Sequence, residues 1–287
     1  MVALPGADPS RLARVLDDLS SRTEGAFGVN FLMPFIDRNS VEVAAHRARV
    51  VEFFYGNPDE QLVSVAHSGG ALASWQVGSV GEAQAAIDIG CDLIVVQGVE
   101  AGGHVRGEVG LLSLLGQVID LVEVPVIAAG GLGSARSIAG VLTAGAAAVR
   151  LGTRFLGAIE ADVHPKYLRS LIAARAEDTV ITTMFSEQWP DAPHRVLRAC
   201  IEQARSIEDS PIGAVEIDGI GRISVPRFSP LPPGRTSSGH VEAMAQYAGE
   251  SVGELRREQP AREIIRELID GAEIYLRKAQ SLVVPNL

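Results

Sequence analysis

Six apolar runs recur along the first half of the chain, each separated from the next by a helical pattern and each ending near glycine or another turn residue. They begin at Ala26, Val50, Ala71, Asp92, Val124 and Ala146. The fourth, Asp92-Leu93-Ile94-Val95-Val96, is a continuous apolar run of the kind found in strands covered on both faces. Between the runs, Val41–Arg47, Asp59–His67, Val80–Ile89, Leu111–Val122 and Gly133–Thr143 carry helical spacing, and Leu12, Val15, Leu16 and Leu19 mark a helix ahead of the first run. Strand and helix in alternation imply a parallel sheet with right-handed crossovers. The glycine-tipped strand ends favour a barrel over an open sheet.

Composition narrows the function. Hydrophobic residues are 47% of 287, enough for a large core, while a net charge of −10 argues against a nucleic-acid surface. Two cysteines make no disulfide framework; Cys91 and Cys200 are expected as reduced core residues. No apolar run approaches the roughly 20 residues of a membrane span. Met1–Arg14 lacks the charged-then-apolar pattern of a signal peptide, so a cytoplasmic protein is expected.

Beyond Leu171 the pattern changes. Thr179–Phe185 reads as a strand and Pro193–Ala204 as a helix. Ile217–Gly239, rich in Pro, Gly and Ser, reads as an extended loop. Glu242–Gly249 and Ala261–Lys278 return to a helical pattern, the latter with Ile264, Ile265, Leu268, Ile269 and Ala272 on one face.

The fourth strand opens into Gln97-Gly98-Val99-Glu100-Ala101-Gly102-Gly103-His104. Loops at the carboxyl ends of parallel strands are where such folds place chemistry, and glycine lets backbone approach a ligand closely. His104 is the natural acid/base or polarising group there, because an imidazole titrates near neutrality. The plainer alternative is a glycine-rich turn with a solvated histidine. Gly130, Gly131 and Gly133 precede a helix, and Gly152 and Thr153 follow the next strand; backbone N–H groups and the Thr153 hydroxyl suit a phosphate dianion. Tight-turn punctuation explains the same glycines without a ligand. Asn30 and Gln97, near strand ends, suit the polar edges of a ring system. No G-x-G-x-x-G turn with a distal acid occurs, which disfavours a nicotinamide Rossmann site.

Four segments in the same order carry a family resemblance. Gln97–His104 resembles the Q-G-x-E-A-G-G-H signature of the nitronate monooxygenases, formerly called 2-nitropropane dioxygenases. Phe27–Phe31 resembles their F-G-V-N strand, Pro125–Gly131 their P-V-I-A-A-G-G strand, and Gly152–Leu156 their G-T-R-F-L segment. The resemblance implies a TIM-barrel-like (β/α) fold over residues 1–175, a small α+β cap segment over 176–240, and C-terminal helices over 241–287 packing back on the barrel. It also implies FMN, with its phosphate at Gly130, Gly131, Gly152 and Thr153, ring contacts from Asn30 and Gln97, and a backbone contact from Gly102. Arg150 and Leu151 complete the expected cofactor-binding set, and His104 is the expected catalytic residue. No metal is implied. The expected substrates are a nitronate and O2, giving a carbonyl compound plus nitrite or nitrate.

Three departures stand out. The family's first two strands have no counterpart ahead of Ala26, where 25 residues precede the first run and a βα unit needs about 30. A truncated start is the favoured expectation, and a gap closed by a neighbouring subunit in a homo-oligomer is the alternative. Arg150 stands where an uncharged residue is usual; pointing inward it would stabilise negative charge on a reduced flavin, pointing outward it is a surface or interface charge. Glu250 replaces a usual glutamine and is expected to weaken phosphate contacts. Arg106 is a second cation for an anionic substrate or a solvated loop residue, and Glu100 a structural pairing group. Flavin-dependent enoyl-acyl-carrier-protein reductases share the barrel and a similar loop, and a non-catalytic relative without flavin is the third reading.

Overall fold

The structure is a computed structural model that describes residues 8–187, 189–217 and 220–281. The ends of two expected segments, Met1–Arg14 and the C-terminal run to residue 287, and the start of the Ile217–Gly239 loop, lie partly outside the described residues.

The strands are β1 Gly28–Leu32, β2 Val50–Phe54, β3 Leu72–Val77, β4 Leu93–Gln97, β5 Gly103–His104, β6 Val126–Ala129, β7 Ala148–Arg150, β8 Thr179–Thr182, β9 His194–Leu197, β10 Gly213–Ile217, β11 Gly221–Val225 and β12 Ser238–Gly239. The helices are α1 Pro9–Arg22, α2 Arg38–Ala45, α3 Glu60–Ser68, α4 Val80–Asp88, α5 Leu111–Ile119, α6 Ala135–Thr143, α7 Pro165–Ala173, α8 Arg198–Ser206 and α9 Ala261–Gln280. Five of these helices start on a local N-cap in which a side-chain oxygen takes an otherwise orphaned backbone N–H: Asp8, Asp37, Asp59, Ser79 and Ser134.

The six expected strands form one sheet, in the order β1-β2-β3-β4-β6-β7. The fold is α/β, of the (β/α) barrel type. By contact density the chain divides into two compact units, one made of the described residues of Met1–Gln97 with Gly107–Ala128 and Ala146–Ala148, the other of Gly98–Arg106, Ala129–Gly145 and Val149–Leu287.

In the first unit β1 to β4 run parallel, with Asn30 opposite Glu52, Glu52 opposite Ser74, and Ser74 opposite Leu93. Side chains alternate across a strand, so this register sets Asn30, Glu52, Ser74, Gln76 and Gln97 on one face. Asn30 Nδ2 donates to Glu52 Oε1 at 2.6 Å. The other face is apolar and aromatic: Phe53 and Trp75 rings meet at 5.0 Å and Phe31 and Phe53 at 6.3 Å. Trp75 Nε1 donates to the Gly56 carbonyl, which satisfies its buried N–H. Cys91 and Cys200 are free and buried, as expected, and burial pushes both thiols up to about 12.

The second unit holds two three-stranded sheets, β5-β9-β8 and β11-β10-β12. Helix α6 packs on α9 through Ile138, Ala139, Ile264, Leu268 and Ala272. Tyr167 and Leu171 of α7 bury Val252 and Leu255, and Val196, Cys200 and Ala204 pack around Met244. Three expectations need correction here. Pro193–Ala204 is a strand before it is a helix, because His194–Leu197 pairs with β8 and β5 and only Arg198 onward turns helical. Glu242–Gly249 is no α-helix: after a 3-10 turn at Val241–Ala243, its backbone runs extended, donating from Ala248 to Arg195 and pairing Tyr247 with Val196. Within Ile217–Gly239, β11 pairs antiparallel with β10 rather than forming loop. No helix among the described residues is long and apolar enough to cross a membrane.

Phe53 is fully buried against Trp75 and Phe31. Phe53→Ala is expected to lower unfolding stability by about 3–5 kcal/mol, read as a fall in the urea midpoint at unchanged slope.

Candidate functional site

The second unit fixes the stretch after β4 by its backbone. Gly98 N–H donates to the Ala129 carbonyl at 2.9 Å, and Ala101 N–H returns to the Gly98 carbonyl, closing a turn. Glu250 N–H donates to the Glu100 carbonyl at 3.0 Å. Between these, Gly102 lies against Ala248 and Gly249 so closely that an added Cβ would collide with the Gly249 backbone nitrogen, and a Cβ on Gly249 would stand 2.7 Å from Gly102 N. Two glycines meet because nothing larger fits. Packing therefore accounts for Gly102 without a ligand.

The segment then becomes strand β5, with Gly103 opposite Arg195 and His104 opposite His194. His104 is not in a solvated loop. Its ring stacks on Trp189 with centroids 3.8 Å apart and an interplanar angle of 19°, and His194 and Tyr247 stand at 5.3 and 5.7 Å. Burial, followed by the neighbouring His194, lowers the His104 pKa to about 3, so the imidazole is neutral through the physiological range. His194 is wholly buried and also lowered by burial. It accepts the Phe185 N–H at Nε2, so Nδ1 carries the proton and donates to the Ala192 carbonyl at 2.8 Å. Tyr247 donates to the Pro230 carbonyl at 2.7 Å.

Arg195 holds the same segment from its other side. It is buried, and donates from Nη2 to the Val99 carbonyl at 2.9 Å and from Nη1 to Thr179 Oγ1 at 3.2 Å. Its Nη2 also meets Glu250 Oε1 at 3.1 Å. Glu250 thus answers a buried guanidinium. None of Arg195, Trp189, His194 and Tyr247 stood out in the sequence, since all lie far along the chain from the β5 segment they meet.

The glycine turns divide in two kinds. Gly130 and Gly131 have positive φ, 98° and 68°, and a Cβ on Gly131 would lie 2.9 Å from Glu100 Cβ, so both are required by the fold itself. Gly133 N–H already donates to Ser137 Oγ, within the capping box of α6. Gly152 is exposed with ordinary φ, and an added Cβ there meets no atom within 4 Å. Thr153 is buried and its Oγ1 accepts the Gly249 N–H at 2.9 Å, leaving the hydroxyl proton to donate. A cavity of about 330 Å³ is lined by Gly131, Gly133, Ser134, Arg175, Glu250 and Ser251 among others. Gly152 and Thr153 are not among the residues lining it; the open glycine with the neighbouring hydroxyl is one donor pair suited to a phosphate, and the start of α6 is another. Arg150 is half-buried, and the Leu151 side chain packs with the α6–α9 core, so its backbone is what it offers a ligand. Asn30 and Gln97 belong to the polar face of the first unit.

Comparison with known proteins agrees with these motifs. The family model described as nitronate monooxygenase matches residues 7–271. The chain belongs to the nitronate monooxygenase family. It is 29% identical over 265 residues to a nitronate monooxygenase of Neurospora crassa, covering 82% of this chain and 66% of that one. It is 35% identical over 152 residues to the Bacillus subtilis protein named "probable nitronate monooxygenase", covering 50% of this chain and 44% of that one. The chain therefore spans less than two thirds of the length of these curated relatives. The structure of FabK from Thermotoga maritima superposes with a TM-score of 0.79 at 27% identity, covering 97% of this chain and 86% of that one.

The two depressed histidines of this cluster, His104 and His194, give stability a signed pH dependence. Unfolded imidazoles take up protons below about 6.5 while folded His104 stays neutral to about 3, so its contribution is complete above pH 6.5 and is lost as pH falls through that window. Each such histidine adds a slope of up to about 1.4 kcal/mol per pH unit. His104→Gln is expected to reduce the proton uptake on unfolding by about one between pH 6 and 4, measured as the difference in stability slope from the unaltered protein.

Proposed function

We propose that the protein is an FMN-dependent oxidoreductase that converts nitronates with O2 into a carbonyl compound and nitrite. The observation that carries this is the neutral, desolvated His104 at the end of the family signature. An imidazole whose pKa sits near 3 is a weak base, poorly suited to pulling a proton from a nitroalkane. A nitronate has already lost that proton and asks only to be bound and oriented. His104, held flat by Trp189 and fixed opposite His194, supplies an N–H or a lone pair at a defined place at little reorganisation cost. Trp189, Tyr247 and His194 cover part of its surface, and the lower local polarity strengthens any hydrogen bond made to the nitro oxygens.

FMN, when bound, supplies the one-electron chemistry between substrate and O2. In the second unit, the Gly152 backbone, the Thr153 hydroxyl and the Gly130–Gly131 turn are the groups suited to its phosphate, with Arg150 and the Leu151 backbone beside them. The family resemblance extends ring contacts to Asn30 and Gln97. The domain reading, with a cap over residues 176–240, follows the same resemblance; a cytoplasmic location and a homo-oligomer belong to the proposal as expectations drawn from the sequence itself.

Flavin bands in the purified chain, released as FMN on denaturation, followed by nitronate-dependent oxygen uptake, are the test. A colourless protein even after FMN is added would sink the proposal. Rapid anaerobic bleaching by NADH without nitronate turnover would instead mark a reductase.

Three variants sharpen it. His104→Ala, and His104→Phe, which refills the stack on Trp189, are both expected to keep the flavin and lose 100-fold or more in nitronate turnover; turnover preserved in either removes His104 from the chemistry. Gly152→Val meets no atom of the protein at its Cβ, so it is expected to fold normally yet lose FMN, checked by absorbance after gel filtration.

A further inference from the structure

A second cleft in the same unit, of about 460 Å³, is lined by Arg136, Arg154 and Arg256 together with Glu254, Glu267 and Tyr275. Three guanidiniums face two carboxylates there, in a chain whose net charge is −10. Arg136 lies in the first turn of α6, beside the helix N-terminus, where backbone N–H groups add positive potential.

Arg154 makes this more than a surface charge cluster. Its side chain is 5% exposed, yet the described residues give it one ion-pair partner: Nη2 meets Glu267 Oε2 at 3.2 Å. Glu267 is itself 59% exposed and also accepts from Gln259 Nε2 at 3.1 Å. Arg154 Nη1 is buried with no hydrogen-bond partner among the described residues. A guanidinium has five donors, and leaving a charged one buried without an acceptor is costly. Arg154 is among the residues that line the cleft, so an oxyanion taken up there would offer its guanidinium a further acceptor once the side chain adjusts to meet it. Arg136 is held over the Tyr275 ring at 4.9 Å and donates to its hydroxyl at 3.1 Å, so its charge is already positioned.

We propose that this cleft binds the phosphate of a small phosphomonoester, at a place distinct from the glycine turns given above to the flavin phosphate. Neither Gly131, Gly152 nor Thr153 lines it, while Gly133, Ser134 and Glu254 border both this cleft and the 330 Å³ cavity, so the two are neighbours that meet at the start of α6. The guanidiniums of Arg136, Arg154 and Arg256 suit a dianion by charge and by forked geometry. The volume beyond the phosphate, walled by Tyr275, admits a body up to about the size of a nucleoside.

The test is calorimetric titration of the full chain, at constant ionic strength, with inorganic phosphate, adenosine monophosphate and adenosine. Adenosine monophosphate is expected to bind at least tenfold more tightly than adenosine, and phosphate to compete with it. Arg136→Ala with Arg256→Ala, both exposed positions, is expected to weaken binding at least tenfold, whereas Gly152→Val leaves it unchanged. Equal binding of adenosine and its monophosphate overturns the proposal. So does binding that survives the double arginine change, or that is lost in Gly152→Val, since the anion would then sit in the glycine turn.

Discussion

The second unit depends on one close backbone approach, that of Gly102 to Gly249. Because neither residue has a Cβ, Gly98–His104 can lie flat against Ala248–Glu250, with the Glu250 N–H donated to the Glu100 carbonyl. Everything after follows from that contact: β5 reaches β9, His104 falls opposite His194, and the Thr153 hydroxyl accepts the Gly249 N–H. Glycines in a signature loop are naturally credited to a cofactor. At these two positions the fold alone demands them.

The same contact explains an acid in an unexpected place. Glu250 stands where glutamine is usual in the family, and the sequence suggested a penalty at a phosphate. Its carboxylate instead meets Arg195, which is buried and also holds the Val99 carbonyl and Thr179. A buried guanidinium with no carboxylate carries a large desolvation cost, so the acid and the arginine support each other. Arg154 and Glu267 repeat the pattern elsewhere in the unit, a buried guanidinium with an exposed carboxylate, and each arginine leaves one buried N–H unmatched among the described residues, Arg195 at Nε and Arg154 at Nη1.

The parallel sheet was legible because strands covered on both faces write continuous apolar runs, and all six appear where those runs lie. What those runs concealed is the polar face. Asn30, Glu52, Ser74, Gln76 and Gln97 come from four different strands, and only the register shows that they share a side. Local patterning also misled at Glu242–Gly249, where helical spacing was overridden by pairing of the extended chain with β9. His104 stands out in its loop by sequence, but its surroundings could not be read. Trp189, His194 and Tyr247 are remote in sequence, and a histidine's charge state is decided by such neighbours rather than by its own motif.

That distinction governs which substitutions carry information about a ligand. Gly131 looked like the natural position to block a phosphate, but its φ is +68° and its missing Cβ makes room for Glu100. A side chain there disturbs the protein whether or not a phosphate ever binds. Gly152 is the opposite case: ordinary φ, exposed, and open space where a Cβ would go. A glycine that the fold does not need, placed one residue ahead of a hydroxyl that still has its proton to give, is the position at which a substitution reports on the proposed cofactor rather than on packing.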